Sequence, residues 1–203
     1  MYIAIPQPEL VEVSTGFFPL TRLHAIYLPP DAGALEVEAA RLLQQEIARA
    51  GLPELPISRA VTPPIHSGLL MLGSPEAVAR VRGTDDTFLT LSNNPEASAV
   101  TIAVGAIWLT GASPRGRLWA AQTLRQMIRL HGTILPILRL SDAPALRYRG
   151  VLLDVSRRKV PTLATLFRLV DTLALFKLNM LQLQVEHTFR WLRHPEIGQH
   201  ASP

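Results

Sequence analysis

The sequence has no cysteine, and only Lys159 and Lys177 of its 20 lysine and arginine residues are lysines. A disulfide framework and a thiolate metal site are therefore excluded. Aromatic residues make up only 6% of the chain, and the arginines, Arg125 and Arg129 among them, are spread along predicted helices as on solvated helix faces. Nucleic-acid-binding domains usually combine a basic stripe with interleaved aromatic residues. The net charge of +4 therefore supports a nucleic-acid-binding α/β domain only weakly, and no nucleic-acid partner is expected.

Long apolar runs are also missing. No stretch reaches the roughly 18 charge-free residues that a membrane span needs. Met1–Leu10 lacks the basic start and apolar middle of a signal peptide. We therefore expect a soluble, cytoplasmic protein without a membrane partner. With 203 residues, 48% of them apolar, the chain can form one core and part of a second domain, since domains typically hold about 100–200 residues.

Hydrophobic periodicity predicts an α+β domain in the first 145 residues. The first 20 residues contain no helical period and are expected to be extended. Apolar residues recur at helical spacing after Asp31, after Ser74-Pro75 and after Ser113-Pro114, and the two serines are placed as N-caps. Short apolar runs predict strands, including a hairpin of "TFLTL" and "AVTIAV". The expected fold is a small mixed β-sheet with helices on one face.

The turn-rich segment "SDAPAL" marks the predicted domain boundary, which divides residues 1–145 from residues 146–203. After it come a strand ("RGVLLDVS"), a helix that Thr162 can cap, and a second strand ("MLQLQV"). This order predicts a βαβ unit with parallel strands. Such a unit leaves apolar surface exposed when it stands alone, and a second copy could cover that surface in a homodimer.

The stretch "RYRGVLLDVSRRKVP" carries an acid in its apolar run and ends in three cations. A buried carboxylate costs free energy unless it is hydrogen-bonded or paired, so Asp154 is expected to support the loop after the strand through an internal contact. A run of charges is usually solvated, and Arg158 and Lys159 are expected to be surface residues. On spacing alone, the same reading holds for Arg157.

Two separate sets of motifs occur along the chain. The later set comprises Arg149-Gly150, Asp154, Ser156-Arg157, Pro161, Leu173-Ala174 and Lys177-Leu178-Asn179. The earlier set comprises Gly116, Ala120 or Ala121, Gln122-Thr123-Leu124, Gln126, Leu135-Pro136 and Asp142-Ala143-Pro144. Both sets resemble glycoside hydrolase family 20, the β-N-acetylhexosaminidases, and occur in that family's order. The later set is similar to the opening of the family's catalytic barrel, and the earlier set is similar to the α+β domain that precedes the barrel.

The resemblance implies an accessory α+β domain at 1–145 and the first βαβ part of a (β/α)8 barrel at 146–203. It further implies removal of terminal β-linked N-acetylhexosamine with retention, in which the acetamido oxygen of the sugar is the nucleophile and an adjacent Asp-Glu pair assists. No Asp-Glu dipeptide occurs in this sequence, so no catalytic residue is assigned. Because a whole barrel takes about 250 residues, we expect the chain as it stands to be an inactive, truncated part of the hydrolase.

The resemblance also assigns sugar-binding residues. Arg157 matches the arginine that holds the sugar's hydroxyl groups, and Asp154 is expected to orient it. Gln182 and Gln184 stand where most members have histidines, which suggests an atypical branch. We expect Glu186 to replace the family's acid as a hydroxyl acceptor, with His187 beside it.

Three histidines near the end of the chain, His187, His194 and His200, could also form a metal cluster. Their spacing is not that of two ligands on one helix, and Pro195 and Gly198 interrupt any helix between them. We therefore expect neither a metal nor a cofactor. The alternative to a hydrolase is a non-catalytic carbohydrate-binding or scaffold module.

Overall fold

The computed structural model describes residues 3–63, 68–83, 91–156, 160–185 and 193–196. The chain divides into two compact units. The first comprises Met1–Arg147 and the short segment Leu175–Lys177, and the second comprises Tyr148–Ala174 and Leu178–Pro203.

The first unit is built on a seven-stranded sheet with three α-helices. Its elements in chain order are β1 (Leu10–Pro19), a short 3-10 helix (Leu20–Arg22), β2 (Ala25–Leu28), α1 (Ala34–Arg49), β3 (Ile57–Arg59), β4 (Leu69–Gly73), α2 (Pro75–Arg82), β5 (Ser98–Ile102), β6 (Ala106–Gly111), α3 (Pro114–His131) and β7 (Ile134–Asp142). The strand order is β1-β7-β5-β6-β4-β2-β3. Strands β3, β2, β4 and β6 run parallel, and β5, β7 and β1 pair with antiparallel neighbours, so the sheet is mixed as predicted.

Helices cover both faces of this sheet. Alternate strand residues such as Leu70 and Leu138 pack with α1 and α3 in the main core. Met71 and Trp108, which point to the opposite face, pack with Val78 of α2 in a smaller cluster. The α+β class is confirmed, but α2 lies on the face opposite the one that carries α1 and α3, whereas one face was predicted.

The predicted serine caps explain where two of the helices begin. Ser74 Oγ accepts a hydrogen bond from Ala77 N at 3.2 Å, and Ser113 Oγ accepts from Arg115 N and Gly116 N at 3.2 and 3.3 Å. These bonds satisfy amide groups that have no partner within the helix. The motif residue Gly116 allows α3 to approach the strands closely, because a Cβ there would lie 2.3 Å from the carbonyl oxygen of Ala97.

A network of charged side chains joins α1 to α3. Glu46 accepts hydrogen bonds from Arg125 Nε at 3.1 Å and from Arg129 Nε and NH2 at 2.8 and 2.7 Å. Burial raises the pKa of Glu46, but the bonds and charges of Arg129 and Arg125 outweigh it and hold that pKa below its ordinary value. Arg125 is buried, so the prediction that it lies on a solvated helix face is wrong.

The second unit contains β8 (Gly150–Asp154), α4 (Leu163–Leu175, of which the last residue belongs to the first unit) and β9 (Met180–Gln184). Strands β8 and β9 pair in parallel, which confirms the βαβ prediction. Thr162 Oγ1 accepts a hydrogen bond from Thr165 N at 3.2 Å and caps α4 as predicted. Many large apolar side chains of this unit are exposed, as expected for an isolated βαβ unit: Val151, Leu152, Val160, Leu163, Phe167, Val170, Met180, Leu183 and Val185.

The sequence patterns missed two strands. The segment that forms β1 was expected only to be extended, and β6 received no assignment although it is buried at the centre of the sheet. Most of "TFLTL", the predicted partner of β5, lies outside the described residues. Within the described residues, β5 pairs with β6 and β7. No helix in the described stretches is long and apolar enough to cross a membrane.

Candidate functional site

The candidate site lies at the carboxyl ends of the parallel strands β8 and β9. Their register places Asp154 opposite Gln184 and Leu152 opposite Gln182. Because residues two apart in a strand share a face, these four side chains lie on one face of the two-stranded sheet. The register of the two strands therefore brings a carboxylate and two amides together on one face.

Asp154 turns the chain at the end of β8. One carboxylate oxygen, Oδ1, accepts hydrogen bonds from Ser156 N at 2.8 Å and from Ser156 Oγ. The ladder extends one residue beyond β8, since Val155 N donates to the carbonyl oxygen of Gln184 at 3.1 Å. An aspartate that bonds the amide two residues on favours a turn. These contacts hold Ser156 at the end of β8, and the support of the following loop by Asp154 stays a prediction.

The amide side chains of Gln182 and Gln184 make no hydrogen bond within the described residues. Gln182 is exposed and Gln184 is half-buried. Each carboxamide offers two N–H donors and an acceptor oxygen. A sugar hydroxyl both donates and accepts hydrogen bonds. This pair of uncharged amides therefore suits a carbohydrate.

Three predicted site residues, Arg157, Glu186 and His187, lie outside the described residues, as does His200. His194 is described, and its Nδ1 lies 3.2 Å from Glu196 Oε1 in an exposed pair. In the described stretches, no three histidine, aspartate or glutamate side chains come together as a metal site would require.

The amino ends of β8 and β9 are held by two motif residues. Asn179 Oδ1 accepts a hydrogen bond from Arg149 N at 2.9 Å, and Asn179 N donates to Arg149 O at 2.7 Å. The next residue, Gly150, has no room for a side chain, because a Cβ there would lie 2.3 Å from Met180 O. The Arg149-Gly150 and Asn179 motifs are thus explained by the pairing of the two strands.

Other motif residues make structural contacts that the sequence patterns did not predict. Gln126 Nε2 donates to Leu175 O at 2.7 Å and to Ile5 O at 2.8 Å, and Gln126 Oε1 accepts from Ile5 N at 2.7 Å. Lys177 Nζ lies 2.6 Å from Asp142 Oδ2, and both side chains are largely buried. The resemblance had marked these positions, but spacing along the chain gives no sign that they meet.

Two protein-family models match the chain in order along the sequence. The model described as glycosyl hydrolase family 20, domain 2, matches residues 1–143, and that of the family's catalytic domain matches residues 146–195. The chain belongs to glycosyl hydrolase family 20. The second match includes β8, α4 and β9, so the candidate site lies in the part that resembles the family's catalytic domain.

Relatives and solved structures agree with this family. A β-N-acetylhexosaminidase of Cellulomonas fimi is 29% identical over 98% of this chain and 37% of its own length. A β-hexosaminidase of Emericella nidulans is 30% identical over 59% of this chain and 20% of its own length. The fold matches the family 20 exo-β-N-acetylglucosaminidase of Vibrio harveyi in complex with N-acetylglucosamine, with a TM-score of 0.70 at 22% identity over 99% of this chain and 29% of that chain. This chain thus spans between 20% and 37% of the length of these three proteins.

Proposed function

We propose that the protein to which these residues belong removes terminal β-linked N-acetylhexosamine from carbohydrates with retention of configuration. The observation that carries the proposal is the match of residues 146–195 to the family's catalytic domain, directly after a match to its domain 2. The names of the Cellulomonas fimi and Emericella nidulans relatives support the substrate class. The register that sets Asp154 beside Gln184 supports a polar binding site at this strand end.

In this proposal the sugar is bound and oriented by residues of β8 and β9 and of the segments that follow these strands in the sequence. Arg157 follows Ser156, whose amide Asp154 holds, and its guanidinium fork suits contacts to neighbouring hydroxyl groups. Glu186 accepts a hydrogen bond from a sugar hydroxyl, His187 follows it in the sequence, and Gln184 adds neutral donors and an acceptor. The acetamido oxygen of the substrate is the nucleophile, in place of an enzyme carboxylate. The Asp-Glu pair that would assist it is not in this sequence.

We also propose a division of labour along the chain. Residues 1–145 form an accessory domain, and residues 146–203 form the first βαβ part of the (β/α)8 barrel that binds the sugar. Substrates of such barrels bind at the carboxyl ends of the strands, which is where Asp154 and Gln184 lie. The cytoplasmic location and the homodimer through exposed barrel elements remain predictions.

The test is Arg157→Ala in the protein expressed from the complete gene, assayed on a chromogenic β-N-acetylglucosaminide. A charge-assisted hydrogen bond contributes about 1.5–3 kcal/mol, so we expect kcat/KM to fall by at least about tenfold with little change in Tm. Arg158→Ala is the matched control and should remain near wild type. Equal losses of kcat/KM in the two variants, or a loss explained by a lower Tm, would show that Arg157 does not bind the sugar.

The same assay separates the alternative function. Binding of N-acetylglucosamine without any turnover by the wild-type protein would favour a non-catalytic carbohydrate-binding module. Turnover that is unaffected by Arg157→Ala would leave the hydrolase proposal in place and reject only this assignment of the binding residue.

A further inference from the structure

The turn after α4 carries a residue type that its backbone conformation disfavours. Leu178 N donates to Leu173 O at 2.9 Å, and Lys177 between them has a φ of 60°. This is the arrangement of a Schellman motif, in which the left-handed position is usually glycine because a side chain there is strained. In the described part of the chain, Lys177 is the only residue other than glycine with a positive φ.

Lys177 is also unusual in its burial. Its exposed fraction is 5%, and its ammonium group lies 2.6 Å from the carboxylate of Asp142. Lysine is rarely buried unless it is paired. Strained backbone persists only where the surroundings over-determine it, and here the ion pair does so.

The segment that contains Lys177 is held at a second point. Leu175 O accepts the hydrogen bond from Gln126 Nε2 at 2.7 Å, and Leu175 itself is 6% exposed. Leu175–Lys177 is accordingly part of the first unit, together with Gln126 and Asp142. The Gln126 amide therefore holds this segment at Leu175, and the Asp142 carboxylate holds it at Lys177.

The chain reaches the strand pair immediately after this segment. Asn179 is the second residue after Lys177, and its side chain and amide bond both the N–H and the carbonyl of Arg149. The pairing of β8 with β9 starts at the next residues, Gly150 and Met180. The contact between Asn179 and Arg149 therefore sets the register of the whole strand pair, including the pairing of Asp154 with Gln184.

We propose that Lys177, held by Asp142, is a positioning residue for β9. The ion pair fixes the strained turn, the turn presents Asn179 to Arg149, and this contact sets the register that places Gln184 beside Asp154. A glycine could adopt this turn but could not form the ion pair with Asp142. This explains why a lysine occupies a position where glycine is usual. The inference rests on the proposed function only in that this strand end is the proposed sugar site.

Amide hydrogen exchange of the 203-residue chain tests the proposal without any sugar. In Lys177→Met we expect exchange at Asn179–Gln184 and Gly150–Asp154 to become about tenfold faster or more, while the amides of β4 keep their rates. Asp142→Asn, which keeps the shape of the side chain, should have an effect in the same direction and provides the answer if Lys177→Met does not fold. Asp171→Asn, an exposed carboxylate on α4, is the matched control and should exchange like wild type.

Lys177→Gly separates positioning by the side chain from simple relief of strain. Glycine accepts the left-handed turn but has no ammonium group, so the proposal predicts exchange as fast as in Lys177→Met. Wild-type protection of β9 in Lys177→Gly would overturn the proposal, because the backbone turn alone would then suffice. Equal acceleration of β4 and β9 in Lys177→Met would also overturn it, in favour of a general stabilising role. Neither result depends on the activity measured with Arg157→Ala.

Discussion

The seven-stranded unit and the βαβ unit bury their apolar residues to very different extents. Leu70 and Leu138 of the first are fully buried beneath α1 and α3. In the second, Leu152 of β8 and Phe167 of α4 are 57% and 61% exposed. An isolated pair of strands is marginally stable at best, and α4 leaves large apolar side chains of this unit in contact with water. Burial of apolar surface stabilises a fold, so we expect the first unit to supply most of the stability of the chain.

The largest expected effect comes from truncating a leucine to alanine in each unit. Leu70→Ala leaves a cavity in a close-packed core and should lower the free energy of unfolding by about 3–5 kcal/mol. Leu152→Ala removes a side chain that already contacts water and should cost about 0.5 kcal/mol or less. Urea unfolding monitored by circular dichroism measures both. Similar losses would show that Leu152 is buried in solution.

The next effect concerns the charge network between α1 and α3. Glu46→Gln keeps the size of the side chain but removes the charge that Arg125 and Arg129 share. Hydrogen bonds to charged groups contribute about 1.5–3 kcal/mol, so the free energy of unfolding should fall by about 2–3 kcal/mol. Arg41→Gln, which breaks an exposed pair with Glu38, is the control and should change little. Equal effects would mean that the Glu46 network is as weak as a surface pair.

Sequence patterns predicted the helices and their caps because these depend on neighbours along the chain. Ser74, Ser113 and Thr162 each bond an amide three residues away or fewer. The long-range contacts of the first unit could not be predicted in this way. Gln126 is 121 residues from Ile5, and Lys177 is 35 residues from Asp142. Only the fold brings them together.

Alternation along β9 is enough to assign Gln182 and Gln184 to one face from the sequence, because side chains in a strand repeat every two residues. Strand β6 was missed although it is buried, since a short apolar run gives no periodicity to recognise. The hydrophobic pattern also could not predict the side of the sheet on which α2 lies. This side depends on the crossover after β4 and not on the helix itself.

Acid should weaken the first unit through Glu46. The pKa of Glu46 is lowered from its ordinary value of 4.5, so its stabilising contribution is complete well above that value and is lost as the pH falls through the folded pKa. The difference in the free energy of unfolding between wild type and Glu46→Gln should therefore be large at pH 7 and shrink as the pH falls below the ordinary value. Urea unfolding at pH 7 and in acid measures it. A difference that does not depend on pH would assign the effect to shape instead of charge.

The smallest effects compare one helix cap in each unit. Replacing a serine or threonine N-cap by alanine costs about 1 kcal/mol. Ser113→Ala should lower the free energy of unfolding of the seven-stranded unit by that amount, because α3 packs on its core.

Thr162→Ala should act locally and speed the amide hydrogen exchange of Thr165 and Leu166, whose amides bond Thr162. Thr172→Ala, in the body of the same helix, is the control and should leave that exchange unchanged or slow it slightly, since alanine is the better helix former. Exchange at Thr165 that does not respond to Thr162→Ala would show that the first turn of α4 is held by contacts other than its cap.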